Sequence, residues 1–174
     1  VMVSTCIFSP PIRLAAFIRA RDVATVCGND TKYRTQIGKN FMRAMRVHEL
    51  AEDISKIQLD DIELQPPGEG EVRLMLKACS INFPDILMAQ GKYQFKPVLP
   101  FSPGMEGAGI VSSIGRGVTG LAVGDRVAAG LRIGGFAEEV NIAAEACRPI
   151  PRGMDFVKAA AYRAAYLTAY VALV

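Results

Sequence analysis

Apolar and polar residues alternate most regularly over residues 71–81. Successive side chains of a strand point to opposite faces, so this pattern predicts a strand with one buried face. The buried face is expected to contain Val72, Leu74, Leu76 and Ala78. Shorter segments of the same kind predict further strands at residues 43–49, 57–63, 108–114, 125–129 and 136–142.

Glycine and proline residues separate these segments. The pair Gly124-Asp125 marks a turn between two of the later strands, and a proline-rich segment at 97–103 favours an extended crossing. A short helix is predicted at 85–90, where Gly91 ends it. Strands at intervals of about 8–12 residues with glycine turns are typical of a small Greek-key barrel, so the predicted fold class is mainly β.

The segment 155–174 has a different composition, because it is rich in alanine and contains neither glycine nor proline. It is predicted to be a helix whose apolar residues lie on nearly every side. A helix without a polar face needs neighbours all round, so we expect a further domain or a partner to cover it. Its eleven-residue apolar run at 164–174 is shorter than the about 20 residues that a membrane span requires.

Residues 1–41 show no strand alternation, and they contain six basic and two acidic residues within a chain of net charge +3. This segment has no run of Lys or Arg and no interleaved aromatic residues, so nucleic-acid binding is not predicted. We interpret the chain as an irregular N-terminal extension at 1–41, a barrel domain at 42–154 and a linking helix at 155–174.

Composition excludes several classes of protein. With 51% hydrophobic and 21% charged residues, the chain can bury a core and is not globally disordered. Its four cysteines form no C-x-x-C pair, and His48 is its single histidine, so no zinc signature is present. His48 is predicted to be a surface residue at a strand end. Reduced cysteines fit a cytoplasmic protein, and no interaction with a membrane is expected.

Motifs in a fixed order carry a family resemblance. They are P-G-M-E-G-A-G-I-V at 103–111, V-G-D-R-V at 123–127, G-G-F-A-E at 134–138 and L-T-A-Y at 167–170. With these motifs, residues 42–174 resemble the catalytic domain of the medium-chain dehydrogenase/reductase superfamily, and above all its zinc-independent NADPH:quinone oxidoreductases. The resemblance implies a GroES-like Greek-key barrel, with a linking helix and with the Rossmann domain that binds NADPH lying beyond residue 174.

Three positions distinguish this branch. Zinc alcohol dehydrogenases of the superfamily have Cys, His and His where this chain has Asn82, Phe83 and Met105, and Asn and Met are not usual zinc ligands. We therefore expect no zinc, and interpret Met105 and Glu106 as structural remnants of the metal site. Without a Lewis acid, the substrate must be activated itself, so the resemblance implies hydride transfer from NADPH to a quinone or an enone.

Four residues match the family's site. Asn82 is expected to face the nicotinamide and to hydrogen-bond cofactor or substrate, although an asparagine there also suits a turn. Asp85 would fix that loop or contact the cofactor, or would be an N-cap as the first residue of the short helix. Tyr93 would orient substrate or donate to the developing oxyanion, or would simply pack. Thr168 would lie beneath the cofactor, or would bond back to its own helix.

The segment G-R-G-V-T-G at 115–120 fits the dinucleotide fingerprint by letter. It lies between two predicted strands, whereas a phosphate-binding turn must open a helix. We therefore expect weak NADPH binding or none, and no activity, from this chain alone. The alternatives are an enoyl or other enone reductase, a non-catalytic binding module or fragment, and, least favoured, a co-chaperonin. Self-association through the apolar terminal helix is the expected partner interaction.

Overall fold

The structure, a computed structural model, describes residues 41–174. The predicted N-terminal extension therefore lies outside the described residues, except for Phe41. The strands are β1 (Phe41–Val47), β2 (Ile57–Glu63), β3 (Glu71–Cys79), β4 (Glu106–Ile114), β5 (Arg126–Gly130), β6 (Glu139–Ala143) and β7 (Cys147–Pro149). The helices are α1 (Phe83–Ala89), α2 (Phe156–Ala161) and α3 (Leu167–Leu173), with a π-helical turn at Tyr162–Tyr166 and a 3-10 turn at Ala144–Ala146.

Two antiparallel sheets form the barrel. One has the strand order β6-β3-β4-β5-β7, and the other pairs β1 with β2. Residues 136–138 join them: the Met45 amide donates to the Phe136 carbonyl at 2.8 Å, and the Leu76 amide donates to the Glu138 carbonyl at 2.9 Å. All strand pairs in the described part of the chain are antiparallel, as expected for a barrel and not for a doubly wound sheet.

The junction between the sheets also changes one predicted element. The strand expected at 136–142 is observed as Glu139–Ala143. Its first residues turn to the other sheet, where the Arg43 guanidinium pairs with the Glu138 carboxylate at 2.7 Å. Both side chains are largely buried, at 6% and 13% exposure, so the ion pair is shielded from solvent where the sheets meet.

The central strand β3 confirms the predicted alternation. Every second residue from Val72 to Ala78 is buried, and the residues between them are partly exposed. Val72, Leu74 and Leu76 pack in one cluster with Val111 of β4 and Val127 of β5. Burial of such apolar area is the main stabilising contribution to a domain of this size.

The terminal helix has two different environments along its length. In α2, Ala159 and Ala160 are each 2% exposed and pack against Ala78 and Ala108 of the barrel. Small side chains on both elements let the helix approach the sheet closely. In α3 no residue is buried. The predicted helix is therefore present over almost its whole length, and its outer part is exposed in this chain. Its covering by a further domain or a partner stays a prediction.

The observed fold is mainly β, with short helices and a terminal helix, as the sequence predicts. Strand β7 was not predicted, and α1 begins at Phe83, two residues before the expected start at 85.

Candidate functional site

The loop that follows β3 positions the first candidate residue. Asn82 is the N-cap of α1, and Pro84 stands in the first turn, where its missing amide hydrogen has no cost. The Asn82 backbone N–H donates to Oδ2 of Asp85 at 2.8 Å. Asp85 is thus the third residue of α1 and holds the N-cap from inside, so the prediction that it begins the helix as N-cap is wrong.

The second oxygen of Asp85 reaches another segment. Its Oδ1 accepts the Gly104 backbone N–H at 2.9 Å, and the side chain is only 3% exposed. Burial raises the pKa of the Asp85 carboxyl, and the neighbouring Glu106 carboxylate acts in the same direction; the two backbone donors oppose them without reversing the shift. Asp85 therefore fixes the Asn82 loop to the P-G-M-E segment, which is one of the roles expected of it; its contact with the cofactor stays a prediction.

Position 104 requires a glycine, because of its backbone conformation and because of the atoms that surround it. Its φ is +107°, and a Cβ there would lie 2.5 Å from the Gly135 Cα. The Gly135 amide donates to the Gly104 carbonyl at 3.0 Å, so the two glycine motifs touch through their backbones. A side chain at either position would separate them.

A buried carboxylate links the loop to the terminal helix. Glu106 is 3% exposed, and its Oε1 accepts hydrogen bonds from the Ser80 hydroxyl and from Asn82 Nδ2, the latter at 3.1 Å. Its Oε2 accepts the backbone N–H of Ala164 at 2.7 Å. Asn82 Nδ2 also donates to Ser80 Oγ at 3.0 Å. We call Ser80, Asn82, Glu106 and Ala164 the carboxylate network.

The carboxylate network determines the orientation of the Asn82 side-chain amide. A carboxylate can only accept hydrogen bonds, so the nitrogen of the amide, not its oxygen, must face Glu106. Nδ2 therefore directs its two hydrogens to Glu106 and Ser80. The remaining oxygen, Oδ1, is directed to the Asp85 backbone N–H in a capping box. An amide oxygen has a second lone pair, so a ligand at this loop would meet an atom that accepts a hydrogen bond and cannot donate one.

Tyr93 lies at the other end of α1 from Asn82. A helix of seven residues is about 10 Å long, so the two residues flank it from opposite ends. Tyr93 is half-buried and packs against the cluster that contains Val47, Met88 and Phe101. The ring therefore packs, as one of its two expected roles requires. The role of its hydroxyl stays a prediction.

Thr168 is exposed in the first turn of α3. It lies one helical turn beyond Ala164, which contacts Glu106. The network thus connects Asn82 to the helix that carries Thr168, while Thr168 itself lies outside the network. Its contact with a cofactor stays a prediction.

Sequence reasoning missed the partners of Asn82. It treated Glu106 as a structural remnant and did not consider Ser80. The signal was present in the strand register: Ala78 pairs with Ala108 and Cys79 with Gly107, so continuing the ladder brings Ser80 opposite Glu106.

Two further sequence expectations can be placed in the structure. The G-R-G-V-T-G segment at 115–120 lies between β4 and the antiparallel β5, and no helix separates them. His48 follows the end of β1, is partly exposed, and contacts Asp60 at 2.7 Å, so it is the predicted surface residue. Within residues 41–174, no group of three or more His, Cys, Asp or Glu side chains could hold a metal ion.

An apolar groove of ≈ 470 Å³ opens beside the Tyr93 cluster and not at Asn82. Phe95, Phe101 and Ile133 line it and also belong to the cluster that Tyr93 contacts.

In the part of the chain that the structure describes, no helix has both the length and the apolar composition needed to cross a membrane.

Comparisons with known proteins support the sequence resemblance. The family described as "Alcohol dehydrogenase GroES-like domain" matches residues 68–152. The synaptic vesicle membrane protein VAT-1 homolog of Homo sapiens is 42% identical over 120 residues, which are 68% of this chain and 30% of that protein. The quinone oxidoreductase-like protein 2 homolog of Nematostella vectensis is 36% identical over 165 residues, 94% of this chain and 45% of that protein.

The same barrel occurs in solved structures. The Escherichia coli quinone oxidoreductase, crystallised in complex with NADPH, superimposes with a TM-score of 0.71 and 32% identity, covering 75% of this chain and 40% of that one. The chain thus spans less than half the length of these relatives. Motifs, barrel and relatives agree, and the chain belongs to the medium-chain dehydrogenase/reductase superfamily, on its quinone oxidoreductase branch.

Proposed function

We propose that this chain forms one wall of a zinc-independent oxidoreductase site at which hydride passes from NADPH to a quinone. The observation that carries the proposal is the fixed orientation of the Asn82 amide, whose nitrogen is held by Ser80 and Glu106 and whose oxygen can only accept a hydrogen bond. NADPH, when bound, supplies the hydride. Its nicotinamide carboxamide carries N–H donors, which match an amide oxygen that can only accept.

Because Asn82 Oδ1 can only accept hydrogen bonds, binding of the cofactor and stabilisation of the oxyanion need different residues. Hydride transfer to a quinone leaves negative charge on the quinone oxygen, and this charge needs a donor. Asn82 Oδ1 cannot donate, so the donor is assigned to another group. We assign this role to the Tyr93 hydroxyl, while Asn82 and Thr168 orient the cofactor and Asp85 holds the loop.

The apolar surroundings of Met105 support a proposed site without zinc. Met105 stands where zinc-dependent relatives have a histidine, and it packs against the apolar cluster of Val47, Met88 and Phe101. Neither this thioether nor the Asn82 amide is a usual zinc ligand. A quinone suits such a site because its conjugated carbonyls spread the incoming charge without a metal ion.

Binding by the chain alone is expected to be weak, with a dissociation constant above about 100 µM, or about −5.5 kcal/mol. In this proposal the described residues meet only the nicotinamide end of NADPH, and their G-R-G-V-T-G segment is a hairpin connection instead of a phosphate-binding turn. A dissociation constant in the low micromolar range for the 174-residue chain would contradict this expectation.

Turnover is tested in a chimaera in which residues 42–174 replace the corresponding part of the E. coli quinone oxidoreductase. We expect NADPH oxidation that is faster with a 1,4-quinone than with an enone, and that is unchanged by EDTA. Tyr93→Phe should lower kcat about 100-fold, as loss of one oxyanion donor does, while the control Tyr170→Phe, on the exposed face of α3, should not.

Each other outcome has a definite meaning. A faster enone reaction would favour the enoyl reductase alternative. Loss of activity in EDTA would contradict the absence of zinc. Full activity of Tyr93→Phe would remove Tyr93 from the mechanism.

A further inference from the structure

Glu106 is the only residue of the carboxylate network that contacts both the Asn82 loop and the terminal helix. Its Oε1 faces Ser80 and Asn82, and its Oε2 faces the Ala164 N–H at 2.7 Å. Hydrogen bonds to a charged, buried acceptor are shorter and stronger than those between neutral groups. One side chain thus fixes two elements that are far apart in sequence.

The terminal helix leaves α-helical geometry where it meets Glu106. Ala164 lies in the π-helical turn Tyr162–Tyr166, and Ala161, just before that turn, has φ −88° and ψ −9°. Distortions of this kind arise where a side chain inserts into the i→i−4 hydrogen-bond ladder. The Glu106 carboxylate accepts a main-chain N–H at this point, which accounts for the position of the π-helical turn.

A second contact fixes the π-helical turn at the strand pair that contains Glu106. Gly130 is the β5 partner of Glu106, and a Cβ on Gly130 would overlap Nη1 of Arg163. The absence of a side chain there lets the Arg163 guanidinium lie against the backbone of β5. The π-helical turn is therefore held at neighbouring residues of β4 and β5.

We propose that Glu106 is a positioning residue: it orients the Asn82 amide by holding Nδ2 and, through Ala164, holds the helix that carries Thr168 in fixed relation to Asn82. The consequence for hydride transfer rests on the proposed function. The link between loop and helix does not, since every contact in it belongs to this chain.

The test uses the 174-residue chain and two local NMR signals: the chemical shifts of the Asn82 Nδ2 protons and the hydrogen-exchange rate of the Ala164 amide. Glu106→Leu removes both acceptors at similar size. We expect the Nδ2 resonances to move and Ala164 exchange to rise about tenfold, while exchange at Ala160, on the buried face of α2, stays within about twofold.

Glu106→Gln keeps the result interpretable if the leucine variant does not fold. Glutamine retains one acceptor oxygen and replaces the other with a donor, so it can satisfy one end of the network only. We expect one of the two signals to change and the other to be retained. The matched control is Glu138→Gln, which weakens the ion pair to Arg43 and should leave both signals unchanged.

The outcomes separate this inference from the proposed function. Unchanged signals in the glutamine variant, or a change at only one end in a folded leucine variant, would overturn the positioning role even if NADPH binds. A uniform rise in exchange that includes Ala160 would also overturn it, because it would indicate general destabilisation. Changes at both ends in Glu106→Leu would support it even if the chain fails to bind NADPH.

Discussion

The carboxylate network, which includes Ala164, and the outer helix α3, which begins at Leu167, are opposite in character. In the network, the buried Glu106 carboxylate is bonded to partly buried polar groups. In α3, large apolar side chains such as Tyr170 and Val171 are 64% and 70% exposed. The π-helical turn at Tyr162–Tyr166 separates the two environments.

This contrast shows that apolar composition does not decide which part of a helix is buried. Ala160 and Ala169 are both alanines of the same terminal helix, but one is 2% exposed and the other lies on the exposed α3. The difference comes from what faces each of them: Ala108 of β4 in the first case and solvent in the second. Substitutions that change one environment at a time test this difference.

The largest effect is expected at Gly104, where the backbone that supports the network is most constrained. Gly104→Ala would place a Cβ 2.5 Å from Gly135 at a φ of +107°. We expect it to lower the free energy of unfolding by about 3 kcal/mol or more, because steric overlap and backbone strain add. The measurement is urea unfolding followed by circular dichroism.

Gly120→Ala is the matched control. Gly120 also has a positive φ, +80°, but no atom lies within 4 Å of the position that a Cβ would take there. Only the conformational strain remains, so the loss should be about 1 kcal/mol. Equal losses for the two variants would show that the Gly104–Gly135 contact is unimportant.

Asp85→Asn is expected to have the next largest effect. The carboxylate accepts N–H groups from Asn82 and Gly104, and an asparagine must turn its own donor towards one of them. Leaving one buried N–H unsatisfied should cost about 2 kcal/mol in the free energy of unfolding. A loss below about 0.5 kcal/mol in urea unfolding would mean that the loop is not held through this residue.

The same residue predicts a pH dependence. The pKa of Asp85 is raised by burial above its ordinary value of 3.8, so the folded state binds a proton more readily than the unfolded state. The stability it contributes is complete below the unfolded pKa and is lost as pH rises through the folded pKa. The free-energy difference between the wild type and Asp85→Asn, measured across this range, should therefore shift against the wild type with rising pH. A shift in the opposite direction would contradict the burial argument.

The two parts of the terminal helix are compared by making one substitution in each. Ala160→Leu inserts extra volume between α2 and Ala108 and should cost about 1–2 kcal/mol through overpacking. Ala169→Leu on α3 should change stability by less than about 0.5 kcal/mol. Similar losses at both positions in thermal unfolding would mean that α3 is also packed.

The smallest effect is expected for Val171→Lys. Val171 is 70% exposed, so the substitution removes exposed apolar surface without opening a cavity. The free energy of unfolding should change by less than about 0.5 kcal/mol, so the melting temperature should move very little. The same variant should reduce concentration-dependent association in analytical ultracentrifugation, if the apolar face of α3 mediates it. A large loss of stability would show that Val171 contributes to the barrel.

Local patterns predicted most of the strands and the terminal helix. Alternation over β3 is a local signal, and burial of every second residue confirmed it. Strand β7 has three residues, too few to display alternation. The boundary of β6 depended on the pairing of Arg43 with Glu138, which lie on segments joined only by the folded structure.

The site was predicted less completely, for a physical reason. Asn82 and Asp85 stand in a recognisable motif, but the orientation of the Asn82 amide depends on Glu106, which is 24 positions away. The π-helical turn likewise depends on a contact between Ala164 and Glu106 across 58 positions. Neither has a signature in the residues immediately around it.

The most direct test of the proposed site is an NMR titration of the chain with NADPH that follows side-chain signals of Asn82 and Tyr93. We expect both sets of signals to move along one binding curve, while those of Asn141, which is bonded to Gln65 elsewhere in the structure, stay fixed. Saturable shifts at other residues with Asn82 and Tyr93 unmoved would contradict the proposed site.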